Sequence, residues 1–249
     1  MNGHKVAIIQ SSYIPWKGYF DIIHDVDEFI FLDDVQFTSR DWRSRNRIKT
    51  ADGTHWLTVP AGSDRSRLIC EVTLDDAGWQ TKHWKTLCHS YSRAPFFRQY
   101  ASFFEELYLG QTWRNLSEMN QTMTQRIAHE LLGIRTVFAD SRGYAAQGAK
   151  LDRIIDLLRR CSATSYLSGP LAANYLEPQK FEALGIALQL KNYSDYPEYP
   201  QLYPPFEHAV SVLDLIFNTG PQAPEYIWGH RRAAMNNGQP VPTPAPPHP

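Results

Sequence analysis

The opening of the chain is what most limits its fold. Residues 5–10 form a short apolar run of the length of a buried strand. A polar turn over residues 11–17 follows, with Pro15 inside it. Residues 18–26 then carry Phe20, Ile23 and Val26 on one side of a helix. A second apolar run, residues 28–32, ends in Asp33-Asp34. Strand, loop, helix and strand in such a short stretch make a βαβ unit, and these units build parallel sheets.

The next stretch changes character. Residues 45–50 and 54–60 flank Asp52-Gly53, a two-residue turn signal that predicts a β-hairpin. Residues 68–74 read as one more strand. Helical patterns cover 78–91, 95–108 and 116–132. Alternation then resumes: strand 134–139, helix 151–161, strand 165–167, short helices over 171–184, strand 186–190. The expected fold is therefore α/β. It is a mostly parallel Rossmann-like sheet with an inserted β-hairpin and helical segment at about 40–132. After an aromatic, proline-rich loop at 193–205, helices are expected at 208–218 and 222–228. Residues 1–235 read as a single α/β domain, and residues 236–249, dominated by Pro, Gly and Asn, as a disordered tail. There is no internal repeat.

Composition narrows the function. Hydrophobic residues are 43% and charged residues 20% of 249, enough for a real core. The formal net charge of -1 gives no bulk attraction to nucleic acid or an anionic membrane. No apolar run reaches the ~18–20 residues of a membrane span, and no secretory signal leads the chain. Cys70, Cys88 and Cys161 are odd in number and widely spaced, which reads as reduced thiols in a cytoplasmic protein.

Several residue groups can carry chemistry. The turn after the first strand holds Gln10, Tyr13, Trp16, Lys17 and Gly18 and opens a helix, where a ligand anion is favoured. There Lys17 supplies a charge and Gly18 lets a ligand approach the backbone, unless the turn is a plain connection with its rings in the core. Asp33 and Asp34, at the second strand's end, can act as a base, bind a substrate amine or hold a metal, or simply end a strand. Arg43, Arg45 and Arg47 alternate along an extended segment, so their guanidinium groups can grip a diphosphate while Trp42 stacks a base; a solvated hairpin face is the bland alternative. Weaker groups are Lys82, His83, Lys85 and His89 on one helix, and Ser168-Gly169-Pro170 after a strand. His208, expected in a helix's first turn, is a candidate acid or base. Glu207, Ser211, Asp214 and Asn218 make a polar stripe on that helix, read as solvent-facing. No phosphate-loop, dinucleotide-binding, HExxH or GxSxG signature is present.

VAIIQSSYIPWKGYFDII at 6–23, DEFIFLDDVQFTSRDWRSRNRIKT at 27–50 and HWLTVP at 55–60 resemble the opening of the WbqC-like family. The resemblance continues through KHWKTLCHSYSRAPFF, YLSGPLAANYL and YPEYPQLYPPFEHAVSVLDLIFNTGP, up to about residue 226. The family is similar to proteins encoded in O-antigen and other polysaccharide clusters, and a glycine transferase role goes with it. The resemblance thus implies a transferase that acylates the amine of a nucleotide-linked amino sugar. The donor would be ATP-activated or another activated amino acid. It supplies no agreed catalytic set, so the residues above stand on their own chemistry. The rival expectations are a metal-dependent glycosyltransferase, with Asp33-Asp34 on the cation, and a non-catalytic carbohydrate-binding or assembly module.

Overall fold

A computed structural model describes residues 3–75, 78–174 and 176–231. The expected tail at 236–249 lies outside the described residues. Strands β1 (Lys5–Ile9), β2 (Glu28–Phe31), β5 (Val137–Asp140), β6 (Ser165–Ser168) and β7 (Ala187–Leu190) form one sheet in the order β5-β2-β1-β6-β7. All four pairings are parallel. The chain runs outward from β1 through β2 to β5, then crosses back to β6 on the other side of β1. That reversal opens a crevice beyond the carboxyl end of β1, where ligands bind in sheets of this kind.

The period of two splits the strand side chains between two layers. Ala7, Phe29 and Phe31 face a core shared with α1 (Lys17–His24) and with helices of the insertion. Val6, Ile8, Ile30 and Leu32 face α5 (Lys150–Arg160) and α6 (Pro178–Glu182) through Leu157, Leu158 and Phe181. The insertion comprises the hairpin β3 (Arg45–Thr50) and β4 (Gly53–Thr58), then α2 (Gly78–Tyr91), α3 (Phe97–Leu109) and α4 (Leu116–Arg126). Gly53, at φ 109°, takes the left-handed turn position that the Asp-Gly pair announced. Helix α7 (Val212–Thr219) packs on the insertion through Phe217, which meets Tyr91, Phe97 and Phe104.

Three expected elements differ. Residues 68–74 hold a 3-10 turn, Ile69–Glu71, because Ile69 and Cys70 donate to the Val35 and Asp33 carbonyls instead of forming a ladder. The helix expected at 208–218 starts at Val212. Ser211 caps it, accepting from Leu213 N, while its own N–H is taken by the Arg47 carbonyl. The helix expected at 222–228 is a 3-10 segment, Gly220–Tyr226, with Pro224 interrupting any longer ladder. The polar stripe on α7 is buried: Asp214 and Ser211 are sealed in the interior. The Asp214 carboxylate accepts from Tyr91, Tyr199 and Gln201. Burial, the dominant cause, raises its pKa.

Within the insertion, the Tyr13 hydroxyl lies 2.8 Å from His83 Nδ1 and 2.6 Å from the Tyr108 hydroxyl. Burial lowers the His83 pKa to about 4. A proton on Nδ1 would remove the acceptor that Tyr13 uses. Because the folded pKa lies below the unfolded value of 6.5, His83 stabilises the fold fully above pH 6.5. That contribution, at most about 3 kcal/mol, is lost as pH falls from 6.5 towards 4. Denaturant unfolding at pH 7.5 and 5 should therefore show a smaller acid loss in His83→Gln than in the parent. Equal losses would show that His83 does not report on acid stability.

Candidate functional site

The turn after β1 is strapped down from three sides. Ser11 N–H donates to Asp33 Oδ1 at 2.8 Å. The other Asp33 oxygen accepts from Ser117 Oγ at 2.5 Å and Gln121 Nε2 at 3.0 Å, both on α4. Asn46 of β3 donates to the Tyr13 and Ile14 carbonyls, and Asn120 of α4 donates to the Arg43 carbonyl. Sheet, hairpin and α4 thereby fix where Gln10 and Trp16 sit.

Two cavities meet above this turn. The smaller, about 320 Å³, is walled by Ser12, Trp16, Tyr19, Trp42, Arg43 and Asn46. The larger, about 1210 Å³, spreads over the ends of β1, β2 and β6 towards α5. Ile9, Trp16 and Tyr19 border both. Trp16 is held edge-on by Tyr193 at 5.0 Å and Tyr196 at 5.9 Å between ring centroids.

The residues singled out from the sequence divide into two sets. Gln10, Trp16, Trp42, Arg43 and Asp34 line the cavities. Arg43 Nη1 donates to Gln10 Oε1 at 2.5 Å. Arg45 and Arg47 lie on the open face of the hairpin, with their guanidinium carbons 4.2 and 5.7 Å from the Trp56 ring. Trp56 in turn packs against Trp42 at 5.5 Å, and both indoles are well exposed, at 40% and 44%. The Nε atoms of Arg43, Arg45 and Arg47 are each buried without a hydrogen-bond partner. Arg43 is not part of the alternating row, since it precedes β3 in a turn and points to Gln10. Asp34 accepts from Ser141 Oγ at 2.6 Å and pairs with Arg153.

The others are not among the residues that line these two cavities. Asp33 is fully buried with both oxygens occupied, so it braces the turn and offers no face to a substrate. Asp33 and Asp34 diverge into separate networks, as neighbours on a strand must, which removes the adjacent pair as a metal holder. Tyr13 is buried against His83. Lys17 is buried with Nζ 4.8 and 5.3 Å from the Tyr196 and Tyr199 rings, and burial lowers its pKa to about 8. It is thus a cation in an aromatic box. A Cβ on Gly18 would come within 2.3 Å of the Trp16 ring, so this glycine makes room for the indole and not for a ligand. His208 lies in the loop before α7, edge-on to Phe206 at 4.6 Å, with Nδ1 unpartnered. Burial, then the nearby Lys17 charge, lower its pKa, and its neighbour Ala209 lines the smaller cavity.

Of the weaker groups, Ser168-Gly169-Pro170 borders the larger cavity. Lys82, Lys85 and His89 flank a shallow groove of about 520 Å³ on the outside of α2, while His83 is buried. Sequence reading missed Arg153, whose partner Asp34 lies 119 positions away. In an amphipathic helix it looks like any solvated arginine.

The sequence profile of the WbqC-like protein family matches residues 10–226. A Mycobacterium tuberculosis protein described as "Uncharacterized protein Rv1507c" is 44% identical over 226 residues, spanning 90% of this chain and 97% of that relative. No solved structure matches the chain. The match covers the turn from Gln10, both aspartates, the arginine hairpin and α7, so the chain belongs to the WbqC-like protein family.

Proposed function

We propose that this chain is a cytoplasmic transferase of surface-polysaccharide (O-antigen) biosynthesis. It transfers an acyl group, glycyl in the first instance, to the amine of a nucleotide-linked amino sugar. The observation that carries the reading is the arginine and tryptophan cluster that reaches the smaller cavity through Arg43 and Trp42 and continues along the hairpin through Arg45, Arg47 and Trp56. Three guanidinium groups with buried, unpartnered Nε atoms sit beside two exposed indoles. Buried donors of this kind call for an acceptor, and planar forks match phosphate oxygens. Trp42 and Trp56 offer a face to the base.

With the diphosphate on Arg43, the wall at Trp16 that both cavities share would lead the sugar amine towards the larger one, which Asp34 borders. Asp34 would orient the amine. Its nitrogen attacks the acyl carbon and forms the C–N bond, while the bond from that carbon to its activating oxygen or sulfur breaks and the leaving group takes the electron pair. The proton shed by nitrogen passes to a base. His208, beside the cavity-lining Ala209 and with Nδ1 unpartnered, is the candidate.

Calorimetric titration tests the diphosphate grip. A nucleotide-linked amino sugar should bind at least about tenfold more tightly than the free amino sugar, one charge-assisted contact being enough for that ratio. Equal affinities would remove the grip. Tight binding of free glycan without turnover would support the non-catalytic module instead, which the exposed Trp42–Trp56 pair also suits.

A further inference from the structure

We propose that the larger cavity is a second substrate site that takes a nucleoside phosphate: the carrier of the activated acyl group. The inference rests on the transfer reading for the donor's role, but the cavity's own features name the ligand class. At about 1210 Å³ it exceeds the ~300–1,000 Å³ typical of small-molecule sites. Free glycine would leave nearly all of it empty, whereas a carrier of nucleotide size fits.

Its floor is apolar, made by Ile8, Ile22, Leu32, Leu151 and Ile154. Such a floor holds a ring system and not a bare ion. Its charged lining is Lys150 and Arg153 together with Asp34, with which Arg153 pairs, and Glu177. Arg153 uses Nη2 on Asp34, yet its Nε is buried with no partner. A phosphate or acyl-phosphate oxygen beside it would supply the missing acceptor. The wall of Ile9, Trp16 and Tyr19 is common to both cavities. Donor and acceptor would therefore meet there, and both would be bound together before transfer.

Gly169 gives a clean way to close this cavity. A Cβ there meets only the Tyr193 hydroxyl, at 3.9 Å, so a side chain can enter without striking backbone. The test is to titrate the full chain with ATP, AMP and coenzyme A, each with and without a nucleotide amino sugar. At least one of the three is expected to bind, and to bind equally well with the sugar present. Gly169→Leu and Arg153→Ala should each weaken that binding by about tenfold or more, the worth of one charge-assisted contact or of lost space. Gly169→Leu should do so without lowering the melting temperature. Selective binding of coenzyme A would identify a thioester donor, and of ATP or AMP an adenylate. No binding by any of the three, or binding indifferent to both substitutions, overturns the proposal. If the nucleotides bind as expected and the nucleotide sugar does not, the donor site stands and the acceptor reading fails. The reverse result spares the acceptor reading and removes the donor site.

Discussion

Arg43→Ala is expected to weaken binding of a nucleotide-linked amino sugar by about ten- to a hundredfold. A charge-assisted hydrogen bond contributes roughly 1.5–3 kcal/mol, and each ~1.4 kcal/mol is tenfold in affinity. Arg43 is the one of the three arginines that lines a cavity, and Gln10 pre-orients its fork. Lysine at this position should recover only part of the loss, because an ammonium cannot form the planar two-point contact. Arg45→Ala and Arg47→Ala should cost less, since both guanidinium groups also rest on Trp56 at the open face. Added salt should weaken binding most where the contact is most exposed. Unchanged affinity in all three alanine variants, measured by calorimetry, would place the diphosphate elsewhere.

Asp33→Asn and Asp34→Asn should have opposite consequences although the residues are adjacent. Asp33 is buried and accepts from a backbone N–H, a hydroxyl and an amide. An asparagine there sets its own N–H₂ against donors and leaves at least one of them unsatisfied, at about 1–3 kcal/mol each. At roughly 2–4 °C per kcal/mol in a chain of this size, the melting temperature should fall by about 2–12 °C. Asp34 borders the large cavity and pairs with Arg153. Its substitution keeps the shape, and its pair with Arg153 is less enclosed than Asp33, so the melting point should fall by less than in Asp33→Asn while transfer drops. Thermal unfolding of both variants separates the roles. A stable Asp33→Asn with lost turnover would return Asp33 to the chemistry.

The sheet was legible because its signals are local. The first βαβ unit, the Asp-Gly hairpin and the span of α2 each follow from residues within one short stretch. The insertion's position followed from the break in alternation. The site was legible only as a neighbourhood. Gln10, Trp16 and Asp34 come together because strand ends converge. Which side chain faces the crevice depends on partners far along the chain. Asp33 is claimed by Ser117, 84 positions on, and Tyr13 by Tyr108, 95 positions on. Lys17 is enclosed by Tyr196 and Tyr199, from the aromatic, proline-rich loop some 180 positions on. Periodicity carries no information about such pairings. The α7 stripe shows the same limit: Asp214 at helical spacing looks solvated until the hydroxyls of Tyr91 and Tyr199 are seen to satisfy it.

The central claim is transfer to an amine. It is tested most directly by incubating the purified protein with a panel of nucleotide-linked amino sugars, glycine and ATP, and reading product masses. One sugar of the panel should gain the mass of a single glycyl residue, with the gain abolished by Arg43→Ala and Asp34→Asn. A panel in which no sugar gains mass, under conditions where a nucleotide amino sugar and ATP both bind, would contradict the account.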